Sequence, residues 1–220
     1  MPYRIFAGTQ DNAALVGPSD ATLDDAIPDP WRSVYLDRWT GGDSFVTLPD
    51  PTDERFVYYE HQNGALMRMD TTGSSILSGG PSSESLRPRL PGLRFSWYTP
   101  FFISPHNPRT LYLSFTGFRE NDTRPYVFVS TDTGRTWRSI ASNLPPECVN
   151  VIKEDPTDPK LLYVGTDLGV YLSRDAGQSW ESLSATRCLD SGSRSDPQAD
   201  QRAALSLPDP RHHPRPLPLG

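Results

Sequence analysis

The chain has 220 residues, which is room for one or two domains, and a net charge of -6. This acidic balance argues against the basic surface that nucleic-acid-binding proteins present, and no apolar run reaches the about 18 residues that suggest a membrane-spanning helix. Two cysteines, Cys148 and Cys188, are too few for a disulfide framework or a cysteine-rich metal site.

The abundant proline (23) and glycine (16) favour short strands joined by tight turns over helices. A loop is expected at Asp20–Asp29, a bridging segment at Trp31–Trp39 and a linker at Ser78–Pro91, with further strands within 100–140 and 149–183. The strands predicted up to residue 77 lie near Tyr3–Gly8, Ala13–Gly17, Phe45–Leu48, Phe56–Glu60, Leu66–Met69 and Ser75–Leu77.

A turn rich in proline and aspartate, set between two apolar strands, recurs along the chain. Its copies are Pro49–Tyr58, Asp155–Tyr163 and, more loosely, Pro105–Tyr112. Proline fixes φ at about −65°, and an Asp or Asn side chain accepts a hydrogen bond from the backbone two residues on. Each copy therefore predicts a strand–turn–strand unit, and the chain contains this unit as an internal repeat.

A second repeat, Ser-x-Asp-x-Gly-x-Thr/Ser-Trp, starts at Ser130 and again at Ser173, 43 residues later. The Asp accepts hydrogen bonds from turn amides, the Gly adopts positive φ, and the Trp begins the next strand with a large buried area. Catalysis or calcium binding by Asp132 and Asp175 is the less favoured alternative. We interpret ten residues of the two copies as structural: Ser130, Asp132, Gly134, Thr136, Trp137, Ser173, Asp175, Gly177, Ser179 and Trp180.

The octapeptide resembles the Asp-box, or bacterial neuraminidase repeat, of β-propeller blades in sialidases, xyloglucanases, sortilin-type receptors and photosystem assembly factors. Five further segments resemble bacterial propeller proteins of the sortilin N-terminal type, often described as glycosyl hydrolases: Gly8–Asn12, Gly41–Asp43, Gln62–Gly64, Trp97–Pro100 and Val164–Tyr171. The resemblance covers residues 3 to about 184. It implies an all-β fold, a partial (open) β-propeller of about three to four four-stranded blades.

The resemblance divides the chain into two parts. Residues 1–184 are expected to form the partial propeller, with blades at about 1–40 (incomplete), 45–77, 100–140 and 149–183. Residues 185–220, rich in proline and arginine, show no strand period and are predicted to be disordered. The expectation is a truncated or frame-shifted piece of a longer propeller protein, whose relatives imply an extracytoplasmic parent although no signal peptide is recognisable.

Polar and aromatic residues at strand ends are the candidates for a site. Asp11 and Asp43 are the candidate catalytic carboxylates, since glycosidases similar to this family use a pair; turn stabilisation is the alternative. Trp97 and Tyr98 are expected to face a ligand, with inter-blade packing as the alternative. No metal site or cofactor is predicted, because no set of ligands converges. The candidate ligand-binding residues are Gln10, Asp11, Asn12, Asp43, Gln62, Asn63, Trp97 and Tyr98.

The function expected is a non-catalytic propeller module that binds a protein, a peptide or a glycan. The alternative is a fragment of a glycoside hydrolase, of the sialidase or xyloglucanase kind, whose catalytic carboxylates need the full propeller. A third option is a truncated product without a function of its own. No nucleic-acid partner is expected, and exposed blade faces predict self-association.

Overall fold

The computed structural model describes residues 3–11, 13–22, 30–34, 42–72, 83–89 and 94–183. The chain divides into two units, Met1–Ser184 and Ala185–Gly220. All described residues belong to the first unit, so the predicted disorder of 185–220 concerns residues outside them. The described part consists of fifteen strands in four antiparallel sheets and one 3-10 helix at Phe118–Glu120.

The first two sheets contain three and four strands, and in both the strands are neighbours in chain order. The first sheet consists of β1 (Arg4–Gly8), β2 (Ala14–Pro18) and β3 (Arg32–Val34). The second sheet consists of β4 (Ser44–Pro49), β5 (Phe56–His61), β6 (Ala65–Asp70) and β7 (Ser83–Ser85).

The third and fourth sheets have four strands each, again in chain order. The third sheet consists of β8 (Phe101–Ile103), β9 (Leu111–Gly117), β10 (Asp122–Ser130) and β11 (Arg138–Ser139). The fourth sheet consists of β12 (Val149–Glu154), β13 (Leu162–Thr166), β14 (Val170–Ser173) and β15 (Glu181–Ser182).

The outer strand of the second sheet differs from the expectation. Strand β7 lies inside Ser78–Pro91, which the sequence favoured as a linker, and the strand expected at Ser75–Leu77 falls outside the described residues. The Ser-Glu-Ser sequence of β7 is exposed and has no apolar side chain, so it carries no strand pattern. It forms a strand because β6 offers a free edge, with Met67 opposite Ser85.

Strand β5 is buried on both faces. Val57 and Tyr59 pack with Ala14 of the first sheet, whereas Tyr58 between them packs with Leu113 of the third. Alternate side chains of a strand point to opposite faces, so a run of large residues serves two cores at once. Burying each such side chain stabilises the fold by about 1.5–3 kcal/mol.

Strand β9 repeats this arrangement one sheet further along the chain. Phe115 packs into the core between the second and third sheets, and Tyr112 packs with Ile152 and Val164 between the third and fourth. Three hydrophobic cores thus separate four sheets stacked face to face. This is the partial β-propeller that the sequence predicted, all-β and almost without helix in its described residues.

The proline/aspartate turns have the same hydrogen bonds in the second and fourth sheets. Asp50 accepts the backbone N–H and the hydroxyl of Thr52, at 2.9 and 2.7 Å. Asp155 accepts the same two groups of Thr157 at the same distances. A local acceptor fixes each turn, and the strand that follows enters in register.

The two octapeptide turns are closed by the carboxylate and hydroxyl of their own residues. In the second copy Gly177 N–H donates to Ser173 Oγ at 2.8 Å, and the hydroxyl of Ser179 donates to Asp175 Oδ2 at 2.6 Å. These bonds hold the pKa of Asp175 at about 2, with the Ser179 hydroxyl the main cause. The first copy repeats the set around Asp132.

Each octapeptide turn also binds the outer end of the preceding sheet. Trp137 Nε1–H donates to the carbonyl of Leu86 at 2.7 Å, and Trp180 Nε1–H donates to the carbonyl of Ile140 at the same distance. Gly177 lies at φ +85°, and a Cβ there would come within 2.9 Å of Ile140. The turn therefore needs glycine both for its backbone conformation and for its close approach.

We expect Trp180→Phe to lower the free energy of unfolding by about 1–3 kcal/mol, because the buried Ile140 carbonyl loses its donor. Urea denaturation followed by circular dichroism measures the change. Trp137→Phe is the matched comparison and is expected to cost less, since its bond to Leu86 is only partly buried and water can replace it. Unchanged stability of Trp180→Phe would contradict a role for this bond in holding the sheets together.

Candidate functional site

The antiparallel order of the strands brings seven connections to one end of the stack. These are the β1–β2, β5–β6, β9–β10 and β13–β14 turns and the segments that enter β4, β8 and β12. We call this end the candidate face. The octapeptide turns lie at the opposite end, where Thr133 N–H bonds to Arg109 O and Ala176 N–H to Lys160 O, both at 2.9 Å. The structural repeats and the candidate ligand residues thus occupy opposite ends.

Asp43 joins three parts of the candidate face. Its Oδ1 accepts the backbone N–H of Asp11 at 3.0 Å, and its Oδ2 accepts Trp97 Nε1–H at 3.1 Å. Its backbone carbonyl accepts Gln62 N–H at 3.1 Å. Asp43 therefore links the first sheet, the β5–β6 turn and the segment before β8, and both of its carboxylate oxygens have donors.

The other predicted site residues lie around Asp43. Gln10 and Asp11 are exposed in the β1–β2 turn, and Asn63 is exposed in the β5–β6 turn with φ +64°. Gln62 Oε1 accepts Asp43 N–H at 3.4 Å. Asn12 lies outside the described residues. The structure therefore gathers residues that are far apart in the sequence, and their role in ligand binding stays a prediction.

Trp97 and Tyr98 remain partly open to solvent, with exposed fractions of 37% and 44%. Tyr98 packs on Phe45, with 5.2 Å between ring centroids. The N–H of Trp97 is occupied by Asp43, so its accessible surface is the apolar ring. Both residues combine inter-sheet packing with an accessible ring, whereas the sequence interpretation set these two roles against each other.

A cleft of about 380 Å³ opens beside Trp97, between the second and third sheets. Asn63 and Trp97 are the predicted site residues that line it. The other side chains that shape the cleft are not recognisable from the sequence, because three of them are arginines at positions that resemble solvated linker or turn residues. These lining residues are Arg87, Arg94, Phe95, Arg119 and Glu120.

Contacts within the cleft hold its charged groups in different ways. Arg94 forms an ion pair with Glu120 at 2.9 Å. The guanidinium of Arg87 lies over Phe95 at 4.3 Å from the ring centroid. No carboxylate lies within ion-pairing distance of Arg87 or Arg119 among the residues described.

Glu60 lies beneath the segment that carries Trp97 and Tyr98. It is fully buried, and its Oε1 accepts the backbone N–H of Thr99. Its Oε2 has no hydrogen-bond partner within the described part of the chain. Loss of water raises the pKa of Glu60 to about 8, against the lowering effect of the Thr99 and Val46 amides. The neutral carboxylic acid is therefore the main form at pH 7.

Three acidic side chains near the candidate face are therefore either buried or already bound to another residue. Glu60 is buried and mainly protonated, Asp43 accepts two N–H groups, and Glu120 is paired with Arg94. The bond that joins Asp11 to Asp43 comes from the backbone of Asp11. As arranged here, Asp43 stabilises the face, and the cleft is suited to binding through aromatic rings and guanidinium groups.

Comparisons with known proteins find relatives among the glycoside hydrolases. Two curated sequences named xyloglucanase Xgh74A, both from Acetivibrio thermocellus, are 25% identical over 199 residues. The match covers 81% of this chain and 22% of each relative, so the chain spans about a fifth of their length. No protein-family model matches the chain.

Solved structures agree on the fold. The GH74 xyloglucanase from Xanthomonas campestris is 18% identical with a TM-score of 0.53, covering 80% of this chain and 26% of that structure. The GH74 enzyme of Niastella koreensis is 17% identical with a TM-score of 0.54, covering 81% and 27%. At such identities the likeness shows the fold alone, which is that of a β-propeller.

The comparisons confirm the coarser expectation, a partial β-propeller similar to glycoside hydrolases. They fit the alternative interpretation, a fragment of a glycoside hydrolase, better than the main expectation, a non-catalytic module that binds a protein, a peptide or a glycan. The sortilin-type resemblance and self-association stay predictions. No helix in the described segments has the length and apolar character that crossing a bilayer requires.

We expect Glu60→Gln to remove a pH dependence of stability. The pKa of Glu60 is raised when folded, so folding takes up a proton and stability falls as pH rises from about 4.5 to about 8. The slope reaches at most about 1.4 kcal/mol per pH unit. Urea denaturation at pH 5, 6.5 and 8 measures it. Glu84→Gln, at an exposed position, should keep the slope; an unchanged slope in Glu60→Gln would contradict the assignment.

We expect Asp43→Asn to lower the free energy of unfolding by about 1 kcal/mol, since an amide keeps one acceptor where two N–H donors need two. Chemical denaturation measures the loss, and fluorescence of Trp97 should report its altered contact. Asp20→Asn, at an exposed turn position, serves as the control. Wild-type stability of Asp43→Asn would show that these bonds do not hold the face together.

Proposed function

We propose that this chain supplies a glycan-binding surface of a glycoside-hydrolase-type β-propeller, and that the described residues bind the glycan without cleaving it. The observation that carries the proposal is the cleft beside Trp97. An exposed aromatic ring, a second ring at Phe95 and a few polar groups surround about 380 Å³ of space. Concave sites of this size are typical of small-ligand binding, and the lining here is mainly polar and charged.

The similarity to xyloglucanases supports a carbohydrate ligand. It supplies the class of ligand that the geometry leaves open, because an aromatic-lined cleft alone also suits a peptide. The flat ring of Trp97 offers the apolar surface on which the C–H face of a sugar ring can lie, and Asn63 offers amide groups to hydroxyls. These features favour a glycan over a protein partner.

The state of the carboxylates supports binding without cleavage. Glycoside hydrolysis needs one carboxylic acid and one carboxylate, about 5–9.5 Å apart and both free to react. Asp43 and Glu120 are occupied by hydrogen bonds or an ion pair, and Glu60 is enclosed. In this proposal, none of these three can serve as the reactive partner of the exposed Asp11, so cleavage needs a second carboxylate from elsewhere.

We also propose that the propeller is of the Asp-box type. Both octapeptide turns close through the same bonds from serine hydroxyl, aspartate and glycine amide. Both place a tryptophan N–H on the preceding sheet. This agreement in geometry between two copies of one sequence pattern supports the narrower assignment.

Binding of xyloglucan heptasaccharide and a panel of other soluble neutral and acidic oligosaccharides, measured by isothermal titration calorimetry, tests the glycan-binding proposal. Trp97→Ala is expected to weaken binding about tenfold by removing the ring. Trp97→Phe keeps a ring but loses the bond to Asp43, so it should retain most of the affinity.

Tyr3→Ala is the matched control, since Tyr3 is 70% exposed at the far end of β1. It should bind as the wild type does. The proposal fails if no member of the panel binds, or if Trp97→Ala binds as tightly as Tyr3→Ala. Release of reducing ends from xyloglucan by this chain would contradict the non-catalytic part.

A further inference from the structure

The arginine side chains of the cleft point to the kind of sugar. We propose that the cleft takes an acidic saccharide, one whose ring carries a carboxylate or sulfate group, with Arg87 and Arg119 as the residues that select it. This inference rests on the proposed glycan binding and names its substrate class. The relatives are named as xyloglucanases, so the similarity to them does not supply an acidic sugar.

The charge balance of the cleft is the first argument. Among the described residues that line it, three guanidinium groups stand against the carboxylate of Glu120, although the whole chain carries -6. Arg94 pairs with Glu120 at 2.9 Å. Arg87 and Arg119 face no carboxylate at ion-pairing distance within the described ranges, so the described lining carries an excess of positive charge. An anionic ligand is the complement of that surface.

The second argument is preorganisation. The guanidinium carbon of Arg87 lies over Phe95 at 4.3 Å from the ring centroid, and Phe95 in turn packs on the buried Phe115 with 4.6 Å between centroids. The carbonyl of Trp97 accepts the backbone N–H of Asn63 at 3.2 Å, which ties the segment before β8 to the β5–β6 turn. A guanidinium held over an aromatic ring loses little freedom when its N–H groups donate to an oxyanion.

The size and lining of the cleft argue for a sugar rather than a bare ion. A volume of about 380 Å³ equals the share of roughly a dozen liquid waters, far more than one inorganic anion fills. The ring of Trp97 lies on the wall, with Arg119 at 6.0 Å from its centroid. A pyranose ring bound beside Trp97 would have Arg119 as a neighbour, and Arg87 lies over Phe95, the second aromatic ring of the cleft.

The solvent exposure of the cleft limits how much the arginine charges add to the affinity for an acidic sugar. Arg87 and Arg119 are solvent-exposed, so each charge is screened and contributes modestly. We expect the acidic form of a sugar to bind about tenfold more tightly than its neutral counterpart at low salt. The advantage should shrink as salt is added, because screening acts on the charge and leaves the ring contact unchanged.

A matched set of disaccharides tests the proposal on the whole chain. The probes are cellobiouronate, cellobiose bearing a 6′-sulfate, and neutral cellobiose, compared by calorimetry at 20 and 300 mM salt. The charged probes differ from the neutral one at a single carbon. Arg87→Gln and Arg119→Gln remove one charge each, and Arg89→Gln, an exposed neighbour that does not line the cleft, is the control.

The expected result is tighter binding of at least one acidic probe, lost in Arg87→Gln and Arg119→Gln and kept in Arg89→Gln, with cellobiose unaffected by all three. Which acidic probe gains distinguishes a carboxylate from a sulfate ligand. Equal binding of acidic and neutral probes, sensitive to Trp97→Ala, would overturn the inference and leave glycan binding intact. No binding of any probe or panel sugar would overturn both. Thermal melts of each variant confirm that the comparison is between folded proteins.

Discussion

The hydrogen bond from the octapeptide tryptophan to the preceding sheet constrains how the second, third and fourth sheets sit against one another. Sheets of this kind bury apolar faces against each other, and such packing has no direction of its own. The N–H of Trp180 on the Ile140 carbonyl, and that of Trp137 on the Leu86 carbonyl, set the relative position of neighbouring sheets at the same point in each repeat. The indole adds both burial and a directional bond, which no aliphatic side chain provides.

The octapeptide turns hold the sheets together at one end of the stack, and the candidate face lies at the other end. At the candidate face the connections are held by individual side chains rather than by a repeated motif, as Asp43 and the buried Glu60 illustrate. Neither interaction recurs in the fourth sheet within the described residues. Loops positioned by a rigid scaffold carry binding residues in many folds, since the scaffold tolerates their variation. This explains why one end of the described structure carries the repeated octapeptide turns, whereas the contacts of the candidate face differ from one connection to the next.

The sequence predicted the repeating features and failed where a single side chain acts across the fold. Strand β5 and the turn at Asp50 follow from local pattern, because alternation and turn chemistry act over a few residues. Strand β7 was missed, since Ser83–Ser85 carries no apolar residue and forms only on the edge that β6 provides. Asp43 was assigned to a turn or to catalysis, whereas its partners Asp11 and Trp97 lie 32 and 54 residues away.

The cleft illustrates the same limit and shows why the fold does not name the ligand. Arg87 and Arg119 come from different connections, and nothing in either segment marks them as neighbours. Only the stacking of the second and third sheets brings their charges to one wall, beside a ring from the segment before β8. A relative can keep the same sheets and turn tryptophans while its connections carry other side chains. On the proposal above, the charge of the ligand is therefore a property of the connections. The guanidinium groups of Arg87 and Arg119, which form no ion pair with a described residue, distinguish this surface more than the propeller itself does.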